Sequence, residues 1–372
     1  MKIPVLFIFL ALALLLVEFP AQSSAHFFPN FTSIPSSLIP KNTSWDSFLK
    51  LKDCQFGQKV DGLAKIKQYF QRFGYINSSF SNFTDDFDDF LESALKTYQK
   101  NFNLNETGKL DGFTLQHVIK PRCGNPDIVN GTTWMNSRKQ TSSDLIHTVA
   151  HYSFFPGNPR WPASKTDLTY AFEPGNQLND ATKAVFAKAF ERWSEVTPLN
   201  FTEISAYSRA DIKIGFFSGD HSDGEPFDGV MGVLAHAFSP PVGLFHLDGE
   251  ENWVLDGNFL NAPSSLTAVD LESVAVHEIG HLLGLGHSSV EDAIMYPSLT
   301  SSSRKVELAA DDILGIQELY GSNPNYNGTL PPLTPRNERD TGGSDGKMMT
   351  HFGIYRLLFH VFGLLFLLVN IL

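Results

Sequence analysis

The sequence predicts an α+β protein, in which a small helical bundle precedes a mixed twisted sheet with three helices and a metal-binding cleft. Three observations predict this fold. Apolar residues recur at helical spacing over residues 60–98, which is the pattern of amphipathic helices. From residue 167 onward apolar and polar residues alternate, as in half-buried strands. The run HEIGHLLGLGH at 277–287 places several metal-ligand side chains within one short helical segment.

The front of the chain is predicted to hold three helices. The first lies within residues 60–73, and the second begins at Asp85 and Asp86, whose charges suit the positive end of a helix. The third covers residues 115–119 and stops before a proline. Since three short helices can share one core, we expect a compact helical domain here. Residues 128–150 are polar and lack a period, which favours an exposed segment.

The second half of the chain switches between strands and helices. Strands are predicted over residues 167–173, 199–204, 210–217 and 232–238, and helices over 181–196, around the 277–287 run, and over 310–321. This succession predicts a mixed sheet covered by helices. We expect the strand 232–238 to be the sheet edge against which an extended peptide pairs.

Composition and the first residues indicate an exported protein. The 372-residue chain has a formal net charge of −12 and no Lys/Arg block, which argues against nucleic acid as a partner. Residues 1–25 contain Lys2, an apolar run too short to span a bilayer, and a small-residue end, as in a secretory signal peptide. Asn-x-Ser/Thr sequons predict glycosylation at Asn30, Asn42, Asn77, Asn82, Asn105, Asn130, Asn200 and Asn327.

The last residues carry a second targeting signal. Residues 347–372 form a short spacer and an almost wholly apolar tail, and small residues around Ser344 precede them. This order predicts a glycosylphosphatidylinositol (GPI) anchor attached at Ser344, on the extracellular face of the plasma membrane. A single-pass C-terminal anchor and release into the extracellular matrix are the alternatives. Residues 322–346 are rich in Pro, Gly and Asn, as in a flexible stalk.

The 277–287 run predicts a catalytic zinc site. His277 and His281 are four residues apart, so both imidazoles project from one helix face and can share a metal ion. Glu278 lies between them, close to the metal without being a ligand. Gly284 can end the helix with a positive φ and turn the chain so that His287 becomes a third ligand. Three protein ligands leave one coordination position open, which is typical of a catalytic zinc.

Neighbouring motifs extend this pattern. The string HExxHxxGxxH followed by Met295 is the signature of the metzincin proteases, and Ser288 after the third histidine resembles the matrixins, or matrix metalloproteinases. Three further segments match the family. PRCGNPD at 121–127 resembles the matrixin cysteine switch, and GNPRW at 157–161 resembles the start of the catalytic domain. ADDILGIQELYG at 310–321 resembles the closing helix of that domain. The resemblance covers roughly residues 55–321. With no haemopexin-like segment recognised after it, the chain is most similar to GPI-anchored plant matrixins.

The resemblance implies a secreted zinc endopeptidase that cleaves internal bonds of extracellular proteins or peptides and acts as a monomer. Zinc would hold a water molecule, and Glu278 would be the general base that passes its proton to the leaving amine. Met295 would form a hydrophobic floor beneath the metal. The rival interpretation is a surface-tethered binding protein with an inactive protease fold, against which the intact Glu278 and ligand histidines argue.

Cys123 is implied to be the regulatory residue. In matrixins the switch cysteine fills the zinc position that water needs, so Cys123 would block the catalytic zinc in the zymogen, with Arg122 and Asp127 holding its loop. A disulfide between Cys123 and Cys54 is the alternative, because the chain has only these two cysteines and carries a secretory signal.

Activation is implied to remove the propeptide 26–151 and to leave the catalytic domain 152–321. Tyr152 would become the new N-terminus, and its ammonium group would pair with Asp311 or Asp312. The alternative is that these two acids only mark a solvated helix start. The basic residues before this point do not form a furin site, so we expect self-cleavage or another protease to be the activator.

A second set of ligand-type residues lies between residues 221 and 251. By resemblance, a structural zinc would be held by His221, Asp223, His236 and His246. The resemblance also implies a calcium ion on Asp228, the carbonyl of Gly229, Asp248 and Glu251. The segment 236–246 is shorter than the family pattern, which disfavours a second calcium ion at Asp211. We therefore expect one catalytic zinc, one structural zinc and at least one calcium ion.

Two positions bear on the substrate residue that follows the scissile bond (P1′). Leu299 replaces a tyrosine that matrixins often have in the wall of the main specificity pocket. Ser273, four residues before His277, occupies a position that helps set the depth of that pocket. A small residue there predicts tolerance of long apolar P1′ side chains.

Overall fold

The computed structural model describes residues 45–135, 140–141, 148–149, 151–262 and 265–328. The predicted signal peptide, the sequons at Asn30 and Asn42, the anchor segment 347–372 with Ser344, and the stalk beyond residue 328 lie outside the described residues. Within the described ranges, no helix is both long enough and apolar enough to span a membrane.

The front domain is a three-helix bundle, as predicted. Its helices are α1 (Leu63–Arg72), α2 (Asp89–Asn101) and α3 (Gly112–Val118), and a 3-10 helix at Asp46–Leu51 precedes them. Aromatic residues fill the core, where the rings of Phe70 and Tyr98 meet edge to face with centroids 5.4 Å apart. The 3-10 helix was not predicted, although it buries Phe48 and Leu51 against the same core.

The assignment of Asp85 and Asp86 to the start of the second helix is wrong. That helix begins at Asp89, and Asp88 is its N-cap, accepting a hydrogen bond from the Leu91 N–H at 3.0 Å. The carboxylate of Asp85 instead accepts the N–H groups of Gly62 and Ala64, at 3.0 and 2.9 Å. It therefore satisfies orphan donors at the start of α1, which lies earlier in the chain.

The second half of the chain is built on a mixed sheet. Its strands are β6 (Asp167–Phe172), β7 (Asn200–Glu203), β8 (Ile212–Phe217), β9 (Val233–Ala237) and β10 (Leu244–Asp248). The spatial order is β9-β10-β8-β6-β7, in which only the β9–β10 pair is antiparallel. The predicted strands are present with shifts of one to two residues, and β10 was not predicted because its residues were interpreted only as metal ligands.

Three helices accompany this sheet, which confirms the predicted α+β class. They are α4 (Asp180–Val196), α5 (Leu271–Leu282) and α6 (Ala310–Tyr320). Trp193 of α4 is fully buried, and its indole N–H donates to the carbonyl of Val276 in α5 at 2.9 Å. A buried indole with a hydrogen-bond partner fixes the rotation of one helix against the other, so α5 is held rigidly under the cleft.

A two-residue strand from the segment that resembles the cysteine switch extends the sheet. This strand, β1 (Arg122–Cys123), runs parallel to β9 and occupies the edge that was predicted to pair with an extended peptide. The remaining short pairs are the hairpin of β2 (Ile128–Val129) and β3 (Thr132–Thr133), the ladder of β4 (Gln140–Thr141) and β5 (Thr148–Val149), and the parallel pair of β11 (Asn252–Val254) and β12 (Ala268–Asp270).

The segment after the switch is less exposed than predicted. Trp134 is 7% exposed and Met135 is 1% exposed, so the first residues of the predicted exposed stretch 128–150 pack against the rest of the protein. The ring of Trp134 meets Phe155 at a centroid distance of 5.1 Å. The polar composition of the stretch concealed these two large apolar side chains. Residues 136–139, 142–147 and 150 lie outside the description.

Candidate active site

Helix α5 presents His277, Glu278 and His281 to a buried cleft. Asp270 caps its first turn by accepting the Ser273 N–H at 2.9 Å. The helix ends as predicted at Gly284, which has a φ of +105°. A side chain at this position would overlap the carbonyl oxygen of Pro159. The chain therefore turns at glycine and returns toward α5 with the third histidine.

The three histidines are oriented as metal ligands. The Nδ1 atoms of His277 and His281 face backbone carbonyl oxygens at 2.7 and 2.8 Å, and the Nδ1 of His287 faces an Asp127 oxygen at 2.9 Å. The opposite nitrogens converge, and those of His277 and His287 are buried without a hydrogen-bond partner. Burial lowers the pKa of all three imidazoles, so they are neutral. Orphaned, neutral nitrogens with fixed tautomers fit a zinc ion.

Cys123 completes this group, whereas Glu278 stands beside it. The thiol sulfur lies 3.4 Å from the His281 Nε2, and the four ligand atoms all lie within 4.8 Å of one another. Both Glu278 carboxylate oxygens are buried and lack a hydrogen-bond partner. Burial raises the pKa of Glu278 to about 8 and raises that of the Cys123 thiol well above its ordinary value. The arrangement has four ligands around one centre and one free carboxylate at its side.

The switch segment is held in the cleft on both sides. On the sheet side, the Arg122 N–H donates to the carbonyl of Gly232 at 2.8 Å, and the Gly124 N–H donates to that of Ala235 at 2.7 Å. On the other side, the Cys123 N–H donates to the carbonyl of Pro297 at 2.9 Å. Residues 122–124 therefore fill the groove between β9 and the segment after Met295.

Arg122 and Asp127 form a buried ion pair behind the switch, in agreement with the role implied by the resemblance. Two guanidinium nitrogens contact the two carboxylate oxygens at 2.6 and 3.0 Å, and both side chains are 0% exposed. The guanidinium also lies 3.7 Å from the centroid of the Phe73 ring. Burial opposes ionisation of Asp127, but Arg122 and His287 outweigh it and lower its pKa.

The alternative of a disulfide between Cys54 and Cys123 is wrong for this structure. Both cysteines are free and buried. Cys54 packs in the core of the front domain, whereas Cys123 belongs to the metal-ligand group. The thiol of Cys123 is therefore available as a ligand.

The two acids at the start of α6 have different partners. Asp311 accepts the backbone N–H of Tyr152 at 2.9 Å, and the hydroxyl of Ser288 donates to it at 2.7 Å. Asp312 accepts the backbone N–H groups of Ile294 and Met295 at 2.8 and 3.0 Å. The two acids are 4% and 0% exposed, so the alternative of a solvated helix start is wrong. Asp312 fixes the Met-turn, and Asp311 lies next to the predicted new N-terminus.

The second predicted ligand set is also assembled. One Asp223 oxygen lies 2.7 to 2.8 Å from a ring nitrogen of each of His221, His236 and His246. The four ligand atoms lie within 4.8 Å of one another. The rings of Phe217 and Phe227 both stack on the ring of His221, at centroid distances of 5.2 and 4.7 Å. Three imidazoles and one carboxylate in an aromatic enclosure fit a structural zinc site.

The predicted calcium residues form a separate acidic cluster. Burial raises the pKa of Asp228 to about 6 and that of Glu251 to about 8. Neither carboxylate oxygen of Glu251 has a hydrogen-bond partner. Asp248 accepts the N–H of Gly229 at 3.1 Å. Buried acids that repel one another fit a cation, although among the described residues they do not form a group as tight as the two sets above.

Asp211 lies apart from these acids. Its carboxylate pairs with the ammonium of Lys165 and accepts the N–H and hydroxyl of Thr169, both at 2.9 Å. These partners neutralise Asp211 without a metal ion. The predicted sequons within the described ranges are exposed, namely Asn77, Asn82, Asn105, Asn130, Asn200 and Asn327.

A narrow cavity opens beside Glu278. Ser273 and Leu299 line it as predicted, together with Ser298 and Lys305, which the sequence interpretation did not single out. The Ser273 hydroxyl donates to Asp270 at 2.7 Å and accepts the Lys305 N–H at 2.8 Å. No sequence motif marks Lys305, because it reaches the cavity from a loop far along the chain.

The structure reveals one further contact between the front domain and the cleft. His117 of α3 is buried, and its ring nitrogens lie 2.6 Å from the hydroxyl groups of Tyr98 and Tyr296. Tyr296 follows the Met-turn methionine. Burial lowers the pKa of His117 well below its ordinary value, and nearby Lys120 and Arg122 act in the same direction, against Asp127. The docked domain therefore holds a neutral imidazole.

The fold and both ligand sets can be compared with known proteins. A family model described as Matrixin matches residues 160–321, and one described as a putative peptidoglycan binding domain matches residues 59–118. The chain is 58% identical to Metalloendoproteinase 2-MMP of Arabidopsis thaliana over 343 residues, which cover 89% of this chain and 90% of that protein. It is 49% identical to Metalloendoproteinase 1 of Glycine max over 79% of this chain and 93% of that protein. It is 41% identical to the interstitial collagenase of Oryctolagus cuniculus, over 65% of this chain and 46% of that protein.

Proposed function

Because this chain belongs to the matrixin family of zinc metalloendopeptidases, we propose that it cleaves internal peptide bonds of extracellular proteins with Glu278 as the general base. One observation carries this proposal. Three buried imidazoles direct their nitrogens to one point, and an unpartnered carboxylate stands beside them. Buried polar atoms in native structures nearly always have hydrogen-bond partners, so buried polar atoms without partners indicate a ligand-binding role. An inactive binding protein would not need to preserve this arrangement.

The chemistry follows from what each side chain can do. A zinc ion held by His277, His281 and His287 supplies a Lewis acid for the scissile carbonyl and for water. Glu278 is held by α5 beside His277, so it takes the proton of the attacking water and returns it to the leaving amine. Once β1 has left with the propeptide, the vacated edge of β9 would bind the substrate backbone by pairing with an extended chain. Met295 supports the ligands from below, where Gly280 packs against it.

Cys123 keeps the enzyme latent in this proposal. It would hold a bound zinc ion together with the three histidines, as a thiolate once the metal displaces its proton, and the switch segment would occupy the substrate groove. The Arg122–Asp127 pair and the prodomain helices hold it there. Latency ends when residues up to about 151 are removed, through self-cleavage or another protease. The ammonium group of Tyr152 then replaces its backbone N–H next to Asp311, which is already in hydrogen-bond distance.

The specificity and additional ions belong to the same proposal. Val274, Ile294 and Leu299 line the cavity beside Glu278, which favours an apolar P1′ side chain. The His221 set would bind a structural zinc, and the Asp228 cluster would bind calcium. Both ion sites lie next to the strands that form the cleft, so their ions would stabilise its walls.

The cellular setting also remains a proposal. We propose secretion through the signal at 1–25, a prodomain within 26–151, a catalytic domain at 152–321, a stalk over 322–346 and GPI anchoring through 347–372. The six exposed sequons in the described ranges support glycosylation. The partners would be extracellular protein substrates, the lipid anchor and an activating protease, and the enzyme would act as a monomer.

A peptidase assay tests the proposed activity. The secreted zymogen is treated with a thiol-reactive mercurial, and cleavage of a quenched peptide containing Leu at P1′ is followed and mapped by mass spectrometry. We expect activity only after treatment, and we expect Glu278→Gln to abolish it. Glu191→Gln, in an exposed position of α4, is the matched control and should retain activity. Full activity without mercurial, or activity that survives Glu278→Gln, would contradict the mechanism.

A further inference from the structure

Asn125 is a buried side chain of the switch segment that the sequence interpretation did not single out. It is 8% exposed and lies two residues after Cys123. Its Nδ2 donates to the carbonyl oxygen of Ala237 at 2.8 Å, and its Oδ1 accepts the N–H of Ala237 at 3.1 Å. One amide therefore binds both backbone polar groups of a residue that lies 112 positions later in the chain.

Ala237 is the last residue of β9, and the pairing of that strand decides where its backbone polar groups point. It lies opposite Phe245 of β10, while the N–H of the next residue, Phe238, donates to the carbonyl of Leu244 at 2.9 Å. Along an antiparallel pair, hydrogen-bonded and non-hydrogen-bonded positions alternate. The N–H and carbonyl of Ala237 therefore point to the outer edge of β9. Since Ala237 is 4% exposed, these two groups need a partner there.

The backbone of the switch segment cannot supply the donor. Its pairing with β9 uses alternate residues, because the N–H groups of Arg122 and Gly124 donate to carbonyls along this edge at 2.8 and 2.7 Å. In this register the next donor would be residue 126, and its acceptor would be the carbonyl of Ala237. Residue 126 is a proline and has no N–H. The side-chain amide of Asn125 takes the place of the missing donor.

A primary amide suits this position. It carries a donor and an acceptor side by side, as a strand residue does at its open edge. An apolar side chain of the same shape would leave the N–H and carbonyl of Ala237 buried without partners while the switch is closed. In the open state both groups are solvated, so the same substitution has no such cost there. The amide therefore favours the closed switch over the open one.

The same residue contacts the switch sulfur through its backbone. The N–H of Asn125 donates to the Cys123 sulfur at 3.3 Å, and this sulfur lies 3.4 Å from the Nε2 of His281. A hydrogen bond to the sulfur favours its thiolate form, which is the form that binds a metal ion. The direction of this N–H depends on the peptide between Gly124 and Asn125, and the anchor at Ala237 holds that peptide against β9.

We propose that Asn125 is a positioning residue of the switch, whose side-chain amide continues the pairing with β9 to Ala237 and thereby holds Cys123 against the ligand histidines. This inference rests on the proposed peptidase function and concerns the regulation of the same site. The anchor is separate from the Arg122–Asp127 ion pair, since the two use different side chains. It acts only until activation, because Asn125 belongs to the segment that activation would remove.

Alkylation of Cys123 tests this role in the full-length, zinc-loaded zymogen. A Glu278→Ala background prevents self-cleavage, and iodoacetamide labelling rates are measured separately at Cys123 and Cys54. Asn125→Leu keeps the shape of the side chain and removes both hydrogen bonds. We expect the Cys123 rate to rise at least about tenfold while the Cys54 rate stays unchanged. The backbone N–H of Ala237 should exchange with solvent faster by a comparable factor, which the loss of a side chain that only fills space would not cause.

Two further variants complete the comparison. Asn125→Asp keeps the acceptor for the Ala237 N–H but places a second oxygen against the Ala237 carbonyl. It should also raise the Cys123 rate at least about tenfold, and it decides the question if Asn125→Leu does not fold. The matched control is Gln68→Met, which removes an exposed amide from α1 in the same domain. This control should change the Cys123 rate less than about twofold.

The outcomes separate this inference from the function on which it rests. Alkylation needs no peptidase activity, so a Cys123 rate within about threefold of the parent in both Asn125 variants would overturn the anchor whether or not peptides are cleaved. An equal rise at Cys54 would also overturn it, because it would indicate unfolding of the front domain. If the activated parent enzyme cleaves no peptide, the proposed function fails, whereas a selective rise at Cys123 would still support the anchor.

Discussion

Replacing Asp127 by asparagine should release the switch cysteine. Asparagine has the shape of aspartate, so it still accepts the hydrogen bond from His287. It cannot neutralise Arg122, whose guanidinium group is 0% exposed. The substitution therefore removes the counter-charge behind the switch loop, together with the hydrogen bonds that the second carboxylate oxygen accepts from Arg122 and from the Tyr75 hydroxyl.

The expected magnitude follows from the burial of this pair. Removing one partner of a buried ion pair costs about 3–5 kcal/mol, because the other charge stays desolvated. The open loop does not pay this penalty, since Arg122 is then solvated. At about 1.4 kcal/mol per tenfold change in an equilibrium constant, the open fraction should rise at least about a hundredfold.

Alkylation of Cys123 measures the open fraction. The zymogen is prepared in a Glu278→Ala background, which prevents self-cleavage, and is treated with iodoacetamide. Peptide mapping then gives separate rates for Cys123 and Cys54. When alkylation is slow relative to reclosing, its rate follows the population of the open state. We expect the Cys123 rate to rise about a hundredfold in Asp127→Asn while the Cys54 rate stays unchanged.

The matched control is Asp86→Asn, in the same domain. Asp86 pairs with Lys59 at 3.6 Å, and the two side chains are 49% and 75% exposed. Exposed pairs contribute about 0–1 kcal/mol, so the Cys123 rate should change less than about fivefold. An Asp127→Asn rate equal to that of this control would refute the reasoning. A parallel rise at Cys54 would instead indicate unfolding of the front domain.

Three further predictions concern other parts of the protein. The pKa of His117 is lowered from 6.5 in the docked domain, so docking is most stable well above pH 6.5 and weakens below it, with a slope that approaches about 1.4 kcal/mol per pH unit. The ratio of switch-thiol alkylation rates in the parent and His117→Gln should rise roughly fivefold between about pH 6.5 and 5.5, and a constant ratio would exclude the effect. In Gly280→Ala the new methyl group would overlap the sulfur of Met295, so the free energy of unfolding measured in urea should fall by about 1–3 kcal/mol. The control is Gly112→Ala, whose new methyl group would lie 3.5 Å from its nearest neighbouring atom and should leave the free energy of unfolding nearly unchanged. His246→Ala should reduce the zinc content by one ion per chain. An unchanged zinc content would contradict the proposed structural zinc site.

The sequence could predict the catalytic ligands because local geometry decides them. His277 and His281 share a face on any α-helix, and the positive φ of Gly284 was expected from its place after the helix. The second ligand set and the switch cysteine were expected only from the resemblance to matrixin segments. In each case the informative residues lie close together in the chain or match a family segment.

Contacts between distant segments were beyond sequence reasoning. Arg122 and Asp127 were expected to hold the loop of Cys123, but the hydrogen bond of Asp127 to His287 joins residues 160 positions apart. Lys305 reaches the specificity cavity from a loop, and His117 meets Tyr296 across two domains. None of these partners has a distinctive spacing. Their roles arise only when the tertiary fold buries a polar group and leaves one neighbour to satisfy it.

Local charge patterns were ambiguous for a similar reason. Asp85, Asp86, Asp88 and Asp89 all suit a helix start, so composition could not tell which one is the cap. The ring of Phe87 is buried, with 2% exposed, so the chain enters the core at this residue and the helix begins only after it. The cap of α2 is therefore Asp88. Asp85 then serves the preceding helix instead.

Diffraction from crystals of the intact zymogen at the zinc absorption edge would test the central claim most directly. We expect an anomalous peak at about 2.0–2.1 Å from the Nε2 atoms of His277, His281 and His287 and at about 2.3 Å from the Cys123 sulfur. A peak at the three histidines without the Cys123 sulfur would contradict the switch. No peak at the three histidines in zinc-replete protein would contradict the enzyme itself.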